Sequence, residues 1–194
     1  MKLKGIYFLT FWMLLSFSQV QEKEEISSVT EVTFDYDHFI IQKGAIGPVK
    51  IGMTIKEADE HLKGLKKITS EAEHFGFGGG SPAYLYYDKN EFVLSLIPAL
   101  NSDTLLFIIA GSPKLTTTNN LNPKCTTGKI AQSYPNTIIQ LDLMNNWESI
   151  SDTTNNWEFI FMTEDDKRIG KYHTIYTPST IKDSTVNSNW ITIK

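Results

Sequence analysis

The chain has 194 residues, with 18 Lys and Arg against 22 Asp and Glu and one cysteine. That length suits one domain of ordinary size, or two small halves, with room for a real core. The acidic balance excludes nucleic acid as the main partner, because phosphate backbones reward dense Lys and Arg. Cys125, being alone, cannot close an internal disulfide, so the fold must stand on packing.

Residues 1–18 read as a signal peptide. Lys2 and Lys4 give a positive start, residues 6–15 are apolar except for Thr10, and Ser16-Phe-Ser18 supplies small residues for cleavage before Gln19. The apolar run is shorter than the roughly 20 residues of a membrane span. Removing Lys2 and Lys4 leaves 16 basic against 22 acidic residues, a net charge of about −6. The expected product is soluble and exported, periplasmic or secreted, with no lipid-bearing cysteine and no membrane span after cleavage. Residues 19–30 read as a polar flexible leader, and residues 31–194 as a single domain with possible repeat halves 31–112 and 113–194.

Along residues 32–41, Val32, Phe34, Tyr36, His38 and Ile40 alternate with Thr33, Asp35, Asp37, Phe39 and Ile41, the pattern of a strand. On a strand His38 would point away from Asp35 and Asp37, which argues a solvated face rather than a metal site. The stretch from Gly44 to Leu62 then announces a capped helix. Gly44, Gly47 and Gly52 permit sharp turns, Thr54 and Glu57 match a capping box, and Ile55, Ala58, Leu62 and Leu65 fall on one helix face. Phe75-Gly-Phe-Gly-Gly-Gly-Ser-Pro82 lacks the Gly-Lys-Ser/Thr ending of a phosphate loop and reads as a hairpin or lid loop. Residues 83–87, 92–97 and 104–110 follow as three strands of an antiparallel meander, with the helix laid across one face.

The second half runs in similar order. At an offset of 73 residues, Thr54, Lys56 and Ala58 match Thr127, Lys129 and Ala131, opening a short helix that Pro135 ends. Strand-like segments follow over 137–143, 147–150, 157–162, 169–176 and 190–193. Residues 164–168 lack calcium-loop spacing and read as a solvated hairpin tip. The expected class is α+β: an antiparallel sheet with short helices on one face, built as an imperfect tandem repeat.

A sharper repeat lies inside this half. Asn145-Asn-Trp-Glu-Ser-Ile-Ser-Asp-Thr-Thr is followed at once by Asn155-Asn-Trp-Glu-Phe-Ile-Phe-Met-Thr-Glu, with six positions of ten in agreement. One reading is two similar turn-to-strand segments whose tryptophans cover the sheet. The other is a glycan- or peptide-binding surface made of Trp147, Trp157, Asn145, Asn146, Asn155 and Asn156, since indole faces and amides together suit a partly polar ligand. That second reading requires the indoles to be exposed.

Chemistry-bearing residues are sparse. Cys125 is a buried small side chain, a nucleophile or the site of an intermolecular bridge. His38, His61, His74 and His173 offer a hydrolase with a His–carboxylate pair if folding brings them to acidic partners, and no His-x-x-x-His pair suggests a metal. No catalytic residue, cofactor or metal site is assigned from the sequence.

Gly52-Met-Thr-Ile-Lys-Glu-Ala58, continuing to Leu62, resembles the Gly-Met-Thr-x-x-Glu/Gln-Val helix start of small exported α+β proteins, the SmpA/OmlA-type domains and the tandem-repeat β-lactamase-inhibitor-like proteins. Ala58 stands where Val is usual, and the second copy lacks the Met and the Glu. The resemblance implies a helical element packed on an antiparallel sheet, with roles in protein–protein contact or enzyme inhibition. The leading expectation is therefore an exported, non-enzymatic protein that binds another protein through its sheet face or loops. The alternatives are a glycan- or small-ligand-binding module centred on Trp147 and Trp157, and a hydrolase.

Overall fold

A computed structural model describes residues 33–134, 137–174 and 180–194. The expected signal peptide and leader, residues 1–30, lie outside the described residues, as do Pro135 and the end of the segment expected over 169–176. The capped helix forms as its letters require. Thr54 Oγ1 accepts from the Glu57 N–H at 3.2 Å, and Glu57 Oε2 accepts from the Thr54 N–H at 2.8 Å. Helix α1 (Ile55–His61) thus begins on a complete capping box, with Ile55, Ala58 and the C-cap Leu62 buried. Its first turn is tied down by backbone: Ile55 N–H donates to Asp103 O at 2.8 Å, and Leu105 N–H to Met53 O at 2.7 Å.

Helix α2 (Thr127–Ser133) starts in the same way, but on Thr126, whose Oγ1 accepts from the Lys129 N–H. The neighbouring Thr127 is buried and spends its hydroxyl on Val186 O. The two caps, Thr54 and Thr126, are therefore 72 residues apart, one fewer than the sequence match gives. Here too the helix start is clamped by backbone, through Thr127 N–H to Val186 O at 2.9 Å and Ser188 N–H to Cys125 O at 3.0 Å.

Three two-residue strands, β1 (Ile41–Gln42), β2 (Ala45–Ile46) and β3 (Val49–Lys50), make a small meander before α1. The main sheet contains β4 (Lys66–Glu71), β5 (Pro82–Asp88), β6 (Glu91–Pro98) and β7 (Leu105–Ala110) from the first half. From the second half it takes β8 (Ile139–Asp142), β9 (Trp147–Asp152), β10 (Trp157–Phe161) and, beyond the small pair β11 (Gly170–Lys171) and β12 (Thr180–Ile181), β13 (Trp190–Ile193). All pairings are antiparallel, in the order β4-β5-β6-β7-β13-β10-β9-β8. The last strands of the two halves meet at the centre, with Thr192 opposite Ile109.

One face carries the large core. Leu94, Leu96, Ile108, Ile191, Trp157 and Phe159 pack there with α1, α2, the β1–β3 meander and Leu115, Leu121 and Cys125. The class is α+β with both helices on one face, within one compact unit, Glu31–Lys194. No helix among the described residues is long and apolar enough to cross a membrane.

Two local expectations change, and one further strand is present. Tyr36–His38 is a 3-10 turn rather than part of a strand, because Asp35 caps it by accepting from the Asp37 N–H at 3.0 Å. The turn brings His38 Nδ1 to 2.6 Å from Asp35 Oδ2, whereas a strand would have parted them. Residues 66–71, too polar to announce a strand, form the edge strand β4. The acidic run at 164–168 is solvated but is not a hairpin tip, because the strands beside it, β10 and β11, lie in different sheets: Asp165–Lys167 forms a 3-10 turn, and Arg168 folds back against the hairpin before β9.

Candidate functional site

The second sheet face bears a smaller apolar cluster of Ala83, Ile97, Ile109, Trp147, Ile160 and Trp190. The glycine-rich loop after β4 lies on it instead of standing free. Phe75 meets Trp190 edge-on at 5.5 Å, and Phe77 stacks on Phe107 of β7 at 4.3 Å. Trp147 meets Trp190 edge-on at 5.4 Å. The loop covers the middle of this face and leaves the part toward β8 open.

That open part is a groove of about 700 Å³. Its floor is made by Thr192, Glu158, Ile160 and Ser149, one wall by Phe75, Gly76 and Phe77, and the opposite rim by β8 with Gln140 and Asp142. Glu158 receives Lys194 Nζ at 2.8 Å and Ser151 Oγ at 3.0 Å, so the charge at that end is internally matched. Burial works against the Asp142 carboxylate. The Asn145 side-chain amide and the backbone N–H groups of Asn145 and Met144 overcome it and hold the carboxyl below its usual range. The groove offers aromatic edges, an exposed amide at Gln140 and satisfied charges, which suits contact with a mixed polar and apolar surface more than proton transfer.

The two tryptophans of the ten-residue repeat do not share this face. Trp147 is 8% exposed and ends the groove, whereas Trp157 is 1% exposed inside the opposite core. Five steps along β9 part Trp147 from Asp152, an odd number, so these two side chains point to opposite faces. The next turn sets Asp152 across from Trp157 on the same face.

The asparagines are equally committed. Asp142 Oδ2 accepts from Asn145 Nδ2 at 2.8 Å, and Asp152 Oδ2 accepts from Asn155 Nδ2 at 2.7 Å. Asn146 and Asn156 take left-handed conformations, with φ of 56° and 55°. Arg168 also donates to the carbonyl and the side-chain oxygen of Asn146. The repeat is therefore a four-residue hairpin loop used twice, and a joint ligand surface of Trp147 and Trp157 with these four asparagines is not formed. The missed signal was Asp142 and Asp152, three residues before each Asn, which makes the motif Asp-x-x-Asn-Asn-Trp.

Glu148 and Glu158 follow the two tryptophans and diverge in the same way. Glu148 is fully buried on the helix side. Its Oε2 accepts from Thr163 Oγ1 and the Ile169 N–H, each at 2.7 Å, and its Oε1 from the Gly170 N–H at 2.9 Å and Tyr172 Oη at 2.7 Å. Four donors make it an anchor for the return loop after β10.

The hydrolase candidates are not assembled. Cys125 is buried in the main core, where its Sγ accepts from the Asn122 N–H at 3.1 Å. His38 pairs with Asp35 on the surface, and His74 Nδ1 lies by Ser70 Oγ and Glu71 O. His61 and His173 are exposed. Among the described residues no group of three His, Cys, Asp or Glu side chains could hold a metal ion. Comparison with protein-family models, with curated proteins and with solved structures finds no match, so the reading of function rests on the groove itself.

Proposed function

We propose that this is an exported, non-enzymatic protein that binds another protein through the open face of its eight-stranded sheet. The observation that carries the reading is the groove between the Phe75–Phe77 loop and β8. It is lined by aromatic edges, by Glu158 paired with Lys194 and by Asp142 hydrogen-bonded within its own loop, and it lies opposite the face that the helices cover. Export rests on the leader sequence of residues 1–18.

We also propose that the chain is an imperfect tandem repeat, in the manner of the SmpA/OmlA-type and β-lactamase-inhibitor-like proteins. Each half would comprise a Thr-capped helix followed by four strands of the main sheet, with the small β11–β12 pair added in the second half. Two observations support it. Each helix start is clamped by equivalent backbone bonds to the segment entering the half's last strand. The central pairing is also symmetric: Asp103 and Leu105 correspond to Val186 and Ser188, both 83 residues on, and the same shift carries the pair Ile108–Ile193 onto Ala110–Ile191.

The test compares two variants of the tagged full chain, cross-linked within the exported fraction and purified. Gln140→Arg places a long cation on the groove rim, whereas Glu60→Arg alters the exposed side of α1. The proposal expects a discrete partner to be lost with Gln140→Arg and kept with Glu60→Arg. The opposite pattern contradicts it.

A further inference from the structure

The two edges of the main sheet differ in character. β4 bears Lys66, Lys67 and Glu71 along six residues, the kind of charge that guards an edge against strand addition. β8 has no such guard. Residues 138–144 read Ile-Ile-Gln-Leu-Asp-Leu-Met, without Lys, Arg, Pro or Gly. Their one charge, Asp142, is turned onto its own hairpin loop and takes three donors there. Ile138, Leu143 and Met144 are exposed, Met144 to 96%. Among the described residues β8 pairs with β9 alone, and alternate residues of an antiparallel strand turn their N–H and C=O groups away from that neighbour. Among the described residues, no backbone bond from another segment reaches that outer side.

We propose that the outer edge of β8 pairs antiparallel with β8 of a second copy of this chain, joining two sheets about a two-fold axis. An isologous contact requires a surface that complements itself, and this one does. A two-fold axis normal to the sheet keeps each face continuous, so residues set opposite one another must share a face. Centring on Leu141 sets Gln140 opposite Asp142, and at each end of the pairing it brings Ile138, just before one strand, toward Met144 in the hairpin loop of the other copy, apolar flank toward apolar flank. Centring on Asp142 would oppose two carboxylates and is disfavoured. The charge pattern favours a second copy over a strongly charged foreign segment: residues 138–144 carry a single charge, Asp142, and the Leu141-centred register sets it against the neutral Gln140 of the other copy. The groove shares Gln140 and Asp142 with this edge, so the contact is tested at Ile138 and Met144, which do not line the groove.

An edge of four strand residues with one flanking side chain at each end falls well below the roughly 1,200 Å² of standard interfaces, so the association is weak and concentration-dependent. Sedimentation of the full mature chain over about two decades of micromolar concentration tests it. The mass is expected to rise from one chain to two and no further. Ile138→Lys and Met144→Lys, both at exposed positions, are expected to abolish the rise with unchanged circular dichroism, whereas Ile68→Lys on the β4 edge leaves it intact. A wild-type chain that stays monomeric, a dimer that survives both β8 variants, or growth beyond two chains would overturn the proposal.

Discussion

Gly76 and Trp147 meet so closely that only glycine fits: a Cβ at position 76 would lie 2.3 Å from Cη2 of the indole. Gly76 also has a φ of 79°, where other residues pay about 1 kcal/mol. Gly76→Ala must therefore adopt a disfavoured backbone and push the loop away from the wall of the groove. We expect a loss of about 2–3 kcal/mol in urea unfolding, with a changed near-ultraviolet tryptophan signal. An unchanged midpoint would show that the loop does not rest on Trp147.

Glu148 and Glu158 occupy one position of the ten-residue repeat and should respond very differently to loss of charge. Glu148→Gln puts an amide NH2 among four donors inside the protein and should cost about 3 kcal/mol or more. Glu158→Gln breaks a partly exposed pair with Lys194 and should cost at most about 1 kcal/mol. Similar costs for the two would contradict the assignment of Glu148 as the buried anchor.

Alkali should weaken the fold through two tyrosines. Burial, and then the hydrogen bond donated to Asp59 at 2.5 Å, raises the Tyr86 pKa. Burial, and then the bond to Glu148, raises that of Tyr172. A phenol whose folded pKa exceeds its unfolded value of about 10 is held neutral by the fold, so its contribution is complete below that pH and is lost as pH rises above it. Urea midpoints measured from about pH 8 to 11 should fall. The double variant Tyr86→Phe, Tyr172→Phe should start lower, by about 1 kcal/mol per lost bond, and fall less steeply. A parallel decline in the variant would exclude this cause.

Two hydroxyls on the second sheet face make a further contrast. Ser95 Oγ is buried without a hydrogen-bond partner among the described residues, so Ser95→Ala should be neutral or stabilising by up to about 1 kcal/mol. Thr192 Oγ1 accepts from Trp190 Nε1 at 3.1 Å, and Thr192→Val strands that donor at a cost of about 1–2 kcal/mol. The two denaturation midpoints should move in opposite directions or, at least, only the second should fall.

What could be read from the letters was what is decided within a few residues. Thr54 and Glu57 cap α1 by bonds spanning three positions, and the apolar runs of β5, β6 and β7 declare themselves. Asp35 was misread because it caps a 3-10 turn where side-chain alternation suggested a strand. β4 went unseen because an edge strand bears charge in place of a hydrophobic run. The asparagines resemble ligand groups only when Asn145 and Asn155 stand apart from Asp142 and Asp152, the aspartates three residues earlier that make each one a turn residue. The insertion of β13 between β7 and β10, and the folding of the Phe75–Phe77 loop across the sheet, join segments far apart in the chain. No local pattern records them, and so the groove was invisible.

Aromatic-for-aromatic labelling tests the binding face most directly. A benzoylphenylalanine at Phe77, on the groove wall, and another at Phe34, which packs with Tyr36 and Phe39 on the helix side, replace one ring with another in each case. On irradiation of the exported fraction, the label at Phe77 should yield a discrete adduct with a different protein, and the label at Phe34 should not. An adduct from Phe34 alone, or none from Phe77 in a correctly folded chain, would contradict the sheet face as the site of recognition.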